Sequence, residues 1–146
     1  MNHITVLEDN YENDNKINWH FFLSCQKILV EQNFDWLKLI LDVKNKQIIG
    51  SGEILVDRKK ISIILSYSPF NQFRYDRIYI TDQGIKYHRD IHLYPDNSLC
   101  LYHPKIDQPL LQRIPLVKMI PWITEWVVFY EQWKKYGVWL GKEIKH

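Results

Sequence analysis

Alanine is absent from the 146 residues, and only five glycines and two cysteines are present. The glycines, at positions 50, 52, 84, 137 and 141, make neither a dinucleotide fingerprint nor a phosphate loop, both of which need several glycines clustered at a strand-to-helix turn. Nucleotide activation is therefore not expected of this chain. There is no GxSxG elbow and no HExxH helix, so local sequence offers nothing to serine-hydrolase or zincin chemistry. No stretch approaches the ~20 apolar residues that a membrane-spanning helix needs. The first ten residues also lack the basic, then apolar, then small-residue order of a secretory signal. A cytoplasmic protein is expected.

One sign of charge does not dominate either. Nineteen basic residues face seventeen acidic ones, for a net charge of +2, and the signs are interspersed. Such a balance gives no electrostatic footprint for nucleic acid or an anionic membrane, and neither is expected as a partner. What the chain has is 46% hydrophobic residues and 14% aromatics, enough for one core at this length. In a reducing compartment Cys25 and Cys100 are expected as free thiols rather than a disulfide.

Along the chain, residues 1–16 form a polar tail rich in Asp, Glu and Asn with little to bury, and one domain is expected over residues 17–146. From Asn18 as N-cap, Phe21, Phe22, Cys25, Ile28 and Leu29 recur at helical spacing, which places Cys25 in an apolar stripe. From Trp36 the period falls to two: Leu37, Leu39, Leu41 and Val43 alternate with polar residues. Strands at Gln47–Val56, Ile61–Tyr67 and Arg77–Thr81 follow, with turns at Asn45–Lys46 and Asp57–Lys60 and a loop at Ser68–Phe70. Short turns with no intervening helices predict an antiparallel meander, hence an α+β fold rather than a doubly wound sheet. A long segment, Tyr87–Arg113, is interrupted by Pro95, Pro104 and Pro109. Pro121 then suits the first turn of a helix carrying Trp122, Trp126, Phe129, Tyr130 and Trp133, with Gly137 as its stop. Trp139, beyond that stop, either caps the core or contacts a partner.

The reactive side chains concentrate in the long segment, from His88 to Pro104. It reads as a surface loop whose Cys and His residues pack locally, as a zinc site made of His88, His92, Cys100 and His103, or as a loop bearing a nucleophile. The spacings of four, eight and three are unlike the paired short spacings of common zinc modules. The third alternative calls for a partly exposed thiol, and Cys100 on a loop suits thioester exchange. That reaction is nearly isoenergetic, so it depends on positioning and oxyanion donors more than on a strong base. Asn97, His92, Tyr94 and the loop amides are the donors at hand. Neither a cofactor nor a metal is expected.

The order of parts, an N-terminal helix, a four-stranded meander, a long segment with His92 then Cys100, and a C-terminal helix, resembles the ubiquitin-conjugating enzyme fold. In that fold a His-Pro-Asn motif precedes the catalytic cysteine; here His92 is followed by Leu93 and Tyr94. The run His92 to Tyr102, with Ile120-Pro121-Trp122, Trp126, Tyr130-Glu131-Gln132-Trp133 and the tail from Gly137, is similar to the bacterial ubiquitin-conjugating-like proteins of type II (short) CBASS antiphage systems. The resemblance implies a transferase in which Cys100 carries the C-terminus of a cGAS-like nucleotidyltransferase as a thioester and passes it to an acceptor, priming antiphage signalling. His92 would shape the loop or donate a hydrogen bond, and Asn97 is the loop's candidate oxyanion donor in place of the motif's missing Asn. Either a separate activating enzyme is a further partner or the reaction follows another route. The alternative is a catalytically inactive adaptor of the same fold that binds the nucleotidyltransferase.

Overall fold

The computed structural model describes residues 15–70, 76–81, 85–102, 114–139 and 141. Its first helix, α1, spans Asn15–Asn33 and so runs through Asn18, the residue expected to cap it. The buried stripe is Trp19, Phe22, Leu23, Gln26 and Val30, whereas Phe21 and Ile28 are 52% and 55% exposed. The apolar pattern misplaced the face because its central residue is polar. Gln26 is fully buried, and its Oε1 accepts the backbone N–H of Val117 at 3.1 Å. That N–H belongs to the first turn of the C-terminal helix, where no intrahelical acceptor exists, so a side chain from α1 satisfies it.

Four strands follow: β1 (Leu37–Asp42), β2 (Gln47–Val56), β3 (Lys59–Tyr67) and β4 (Asp76–Ile80), each antiparallel to the next in the order β1-β2-β3-β4. Val43, expected at the end of β1, lies in the turn and is 54% exposed. The β2–β3 turn is shorter than Asp57–Lys60. Asp57 and Arg58 both adopt positive φ (50° and 64°), and Val56 pairs with Lys59. A two-residue turn of that handedness matches the twist of the strands it joins. Alternation puts Leu37, Leu39, Ile48, Ile54, Ile61, Ile63, Leu65, Tyr67, Ile78 and Ile80 in the core.

The second helix, α2, spans Leu116–Tyr136 and begins five residues before Pro121. Pro115, with φ −60°, occupies the capping position, and Pro121 sits exposed inside the helix. Its ring forfeits one intrahelical bond. The apolar face explains the earlier start: Leu116, Met119 and Ile120 are buried together with Ile123, Trp126, Val127 and Tyr130, a stripe at 3.6-residue spacing on both sides of the proline. The stop is where the sequence put it. Gly137 takes φ 73° and donates its N–H to Trp133 O at 2.8 Å. The left-handed conformation costs an L-residue about 1 kcal/mol, so Gly137→Ala is expected to lower stability by that amount in a urea titration.

The result is the α+β arrangement expected: a helix, a four-stranded antiparallel sheet, an irregular segment and a second helix. Residues 1–14 of the expected tail lie outside the described residues. Among the described residues no helix is long and apolar enough to cross a membrane.

Candidate functional site

Between β4 and α2 the chain makes two small structures where the sequence suggested only irregularity. A 3-10 turn at Arg89–Ile91 is capped by His88, whose Nδ1 accepts the N–H of Asp90 at 3.1 Å. His92 ends that turn in the left-handed region, φ 54° and ψ 55°. A non-glycine residue holds such a conformation only when its surroundings enforce it. Here the His92 carbonyl accepts two hydrogen bonds, from the Cys100 N–H at 3.0 Å and from the Trp126 indole N–H at 3.3 Å. The same indole N–H also reaches Ile91 O, at 3.0 Å.

Beyond His92 the chain forms a small hairpin. Leu93 bridges Leu99, Tyr94 donates to Ser98 O at 2.9 Å, and Asn97 donates to Tyr94 O at 2.8 Å with φ 68°. Proline first and a left-handed asparagine third suit a three-residue hairpin loop, since Pro presets φ and Asn tolerates that region. Asp96 ties the tip to the sheet: its carboxylate accepts from the Ser98 N–H (3.0 Å), the Ser98 hydroxyl and the Tyr79 hydroxyl (3.3 Å), and lies 3.5 Å from Arg77 Nε. Leu99 donates to Ile78 O at 2.8 Å, docking the hairpin on the outer edge of β4. The position of Cys100 is thus set by backbone bonds to the sheet and to His92.

The thiol itself is sheltered. Cys100 is 1% exposed, and its sulfur donates to the Tyr102 carbonyl at 3.5 Å. Tyr102 is buried too, and its hydroxyl donates to Asp76 Oδ1 at 2.7 Å; Asp76 is a carboxylate only 1% exposed at the start of β4. The other thiol, Cys25, is half-buried on α1, and burial pushes it above its ordinary value. The partial exposure that a nucleophile requires is therefore not what this conformation gives Cys100.

The structure brings His92 and Cys100 together through their backbones and places Asn97 at the hairpin turn. The Asn97 carboxamide oxygen is buried and has no hydrogen-bond partner among the described residues. His88 and His92 pack against different tryptophans: His88 on Trp133 and His92 on Trp139, each at 5.2 Å between ring centroids. No group of three metal-ligating side chains forms among the described residues, and His103 lies outside them. Trp139 caps the core, reaching Trp126 at 5.6 Å and Phe129 at 5.8 Å as well as His92.

Sequence reasoning missed Asp76, Tyr102 and the Trp126 indole as organisers of this region. Tyr-Pro-Asp-Asn, a turn signature flanked by Leu93 and Leu99, was the signal available for the hairpin. The Asp76–Tyr102 contact, across 26 positions, had none. A protein-family model described as type II CBASS E2 protein matches residues 26–146, most of the chain. Comparison with curated proteins gives no match.

Proposed function

The chain belongs to the type II CBASS E2 family, which acts in CBASS antiphage systems, and from that premise we propose that it is a thioester-forming transferase with Cys100 as the carrier. The observation that supports this most is the bond from the Cys100 N–H to the His92 carbonyl at 3.0 Å. It sets the loop cysteine beside a histidine held in a left-handed conformation. In the proposed reaction the Cys100 sulfur attacks the activated C-terminal carbonyl of a cGAS-like nucleotidyltransferase. The new C–S bond forms as the bond to the leaving group breaks, and the thiol proton passes to solvent or to the departing group. Attack of an acceptor nucleophile on the thioester then regenerates the thiol. His92 and Asn97 are proposed to steady the oxyanion or the loop, and a separate activating enzyme to supply the energised C-terminus.

A second reading has one observation in its favour. With Cys100 only 1% exposed, the same fold would serve an adaptor that docks the nucleotidyltransferase without chemistry. Incubating the protein with a cGAS-like nucleotidyltransferase of a type II CBASS system, with and without an activating enzyme, separates the two. A transferase yields an adduct that thiols dissolve, whereas an adaptor yields only a complex that denaturant dissolves.

A further inference from the structure

The Cys100 thiol is engaged as a donor, and the acceptor it uses is itself anchored. Its bond runs to the backbone carbonyl of Tyr102, two residues on. Tyr102 cannot drift, because its hydroxyl is bonded at 2.7 Å to Asp76, a buried carboxylate on β4. Both groups are buried, so breaking that bond would separate two polar groups that water does not reach, the cost that makes a buried hydrogen bond hold. The thiolate, the reactive form of cysteine, has no proton to donate to the Tyr102 carbonyl. The geometry that buries Cys100 thus also favours its unreactive form.

We infer that Tyr102, anchored by Asp76, is a positioning residue that parks the Cys100 thiol against its own backbone carbonyl, so that the cysteine is presented only when this latch opens. The inference rests on Cys100 being the carrier and adds a regulation of that site. In the resting protein the thiol points at Tyr102 O. Opening the latch frees the sulfur to lose its proton and meet an acyl donor. A docked partner that draws the segment after Cys100 outward would open it.

Alkylation by iodoacetamide, read peptide by peptide in the full chain, tests this without any conjugation reaction. Cys25 serves as the internal standard for general loosening. Tyr67→Phe is the matched control, since Tyr67 is also fully buried and its hydroxyl also donates at 2.8 Å, to Ile114 O. Tyr102→Phe is expected to raise the Cys100 rate relative to Cys25 by about fivefold, the factor that loss of one buried hydrogen bond implies. Tyr67→Phe should leave that ratio unchanged, and Asp76→Asn, which keeps an acceptor for the phenol, should fall between. Equal Cys100-to-Cys25 ratios in Tyr102→Phe and the parent protein overturn the latch. So does an equal rise in Tyr67→Phe, which would mark general destabilisation. Because no adduct is needed, a latch that holds while conjugation fails, or the reverse, tells the two proposals apart.

Discussion

Replacing Trp126 with alanine is expected to lower stability by about 3–5 kcal/mol, the usual cost of deleting a buried tryptophan side chain. The residue is 3% exposed, stacks on Tyr130 at 5.1 Å and meets Trp139 at 5.6 Å. Its indole N–H serves the carbonyls of Ile91 and His92 together. Deleting it opens a cavity and also removes a donor from the residue whose left-handed conformation sets the approach of Cys100. Trp126→Phe separates these effects, since it keeps most of the apolar area and loses the donor, for a cost that includes about 1 kcal/mol from the hydrogen bond. Urea titrations followed by circular dichroism measure both. A loss below about 1 kcal/mol in Trp126→Ala, well under the range for a packed aromatic, would mean that α2 does not hold the His92 turn as described.

The second large effect is expected at Cys100. Cys100→Ser should abolish the thiol-sensitive adduct with the nucleotidyltransferase and remove phage protection. A hydroxyl is almost wholly protonated at neutral pH, whereas a thiol with a pKa of about 8.5 is a few per cent thiolate. Cys25→Ser should leave both intact. Cys25 lies on α1, outside the hairpin that carries His92 and Asn97. Protection that survives in Cys100→Ser favours the adaptor.

The alternating apolar residues of β1 to β3 made the sheet legible, because a half-buried antiparallel strand writes its period directly into the sequence. β2 came out at Gln47–Val56, as expected. Helix faces and boundaries were less legible, each for a local reason. Gln26 is a polar residue at the centre of a buried face, satisfied by a donor on another helix, so the apolar pattern alone pointed one position aside. Pro121 resembled a helix start, but Pro115 holds the capping position and tertiary burial of Leu116, Met119 and Ile120 carries the helix through the later proline. At the candidate site the sequence marked Cys100, His92 and Asn97 by type and spacing. It could not show that a hairpin on the edge of β4 places them, nor that the thiol faces inward to Tyr102. Those features depend on contacts between residues far apart in the chain, such as Trp126 with His92 and Tyr102 with Asp76.

The proposed carrier role of Cys100 is tested most directly by peptide mapping of the protein incubated with a cGAS-like nucleotidyltransferase of a type II CBASS system and an activating enzyme, quenched without reductant. The nucleotidyltransferase C-terminus is expected to be attached to the peptide containing Cys100 and to be released by thiol or hydroxylamine. A thioester on Cys25, or no covalent adduct under conditions where the two proteins form a stable complex, would contradict it.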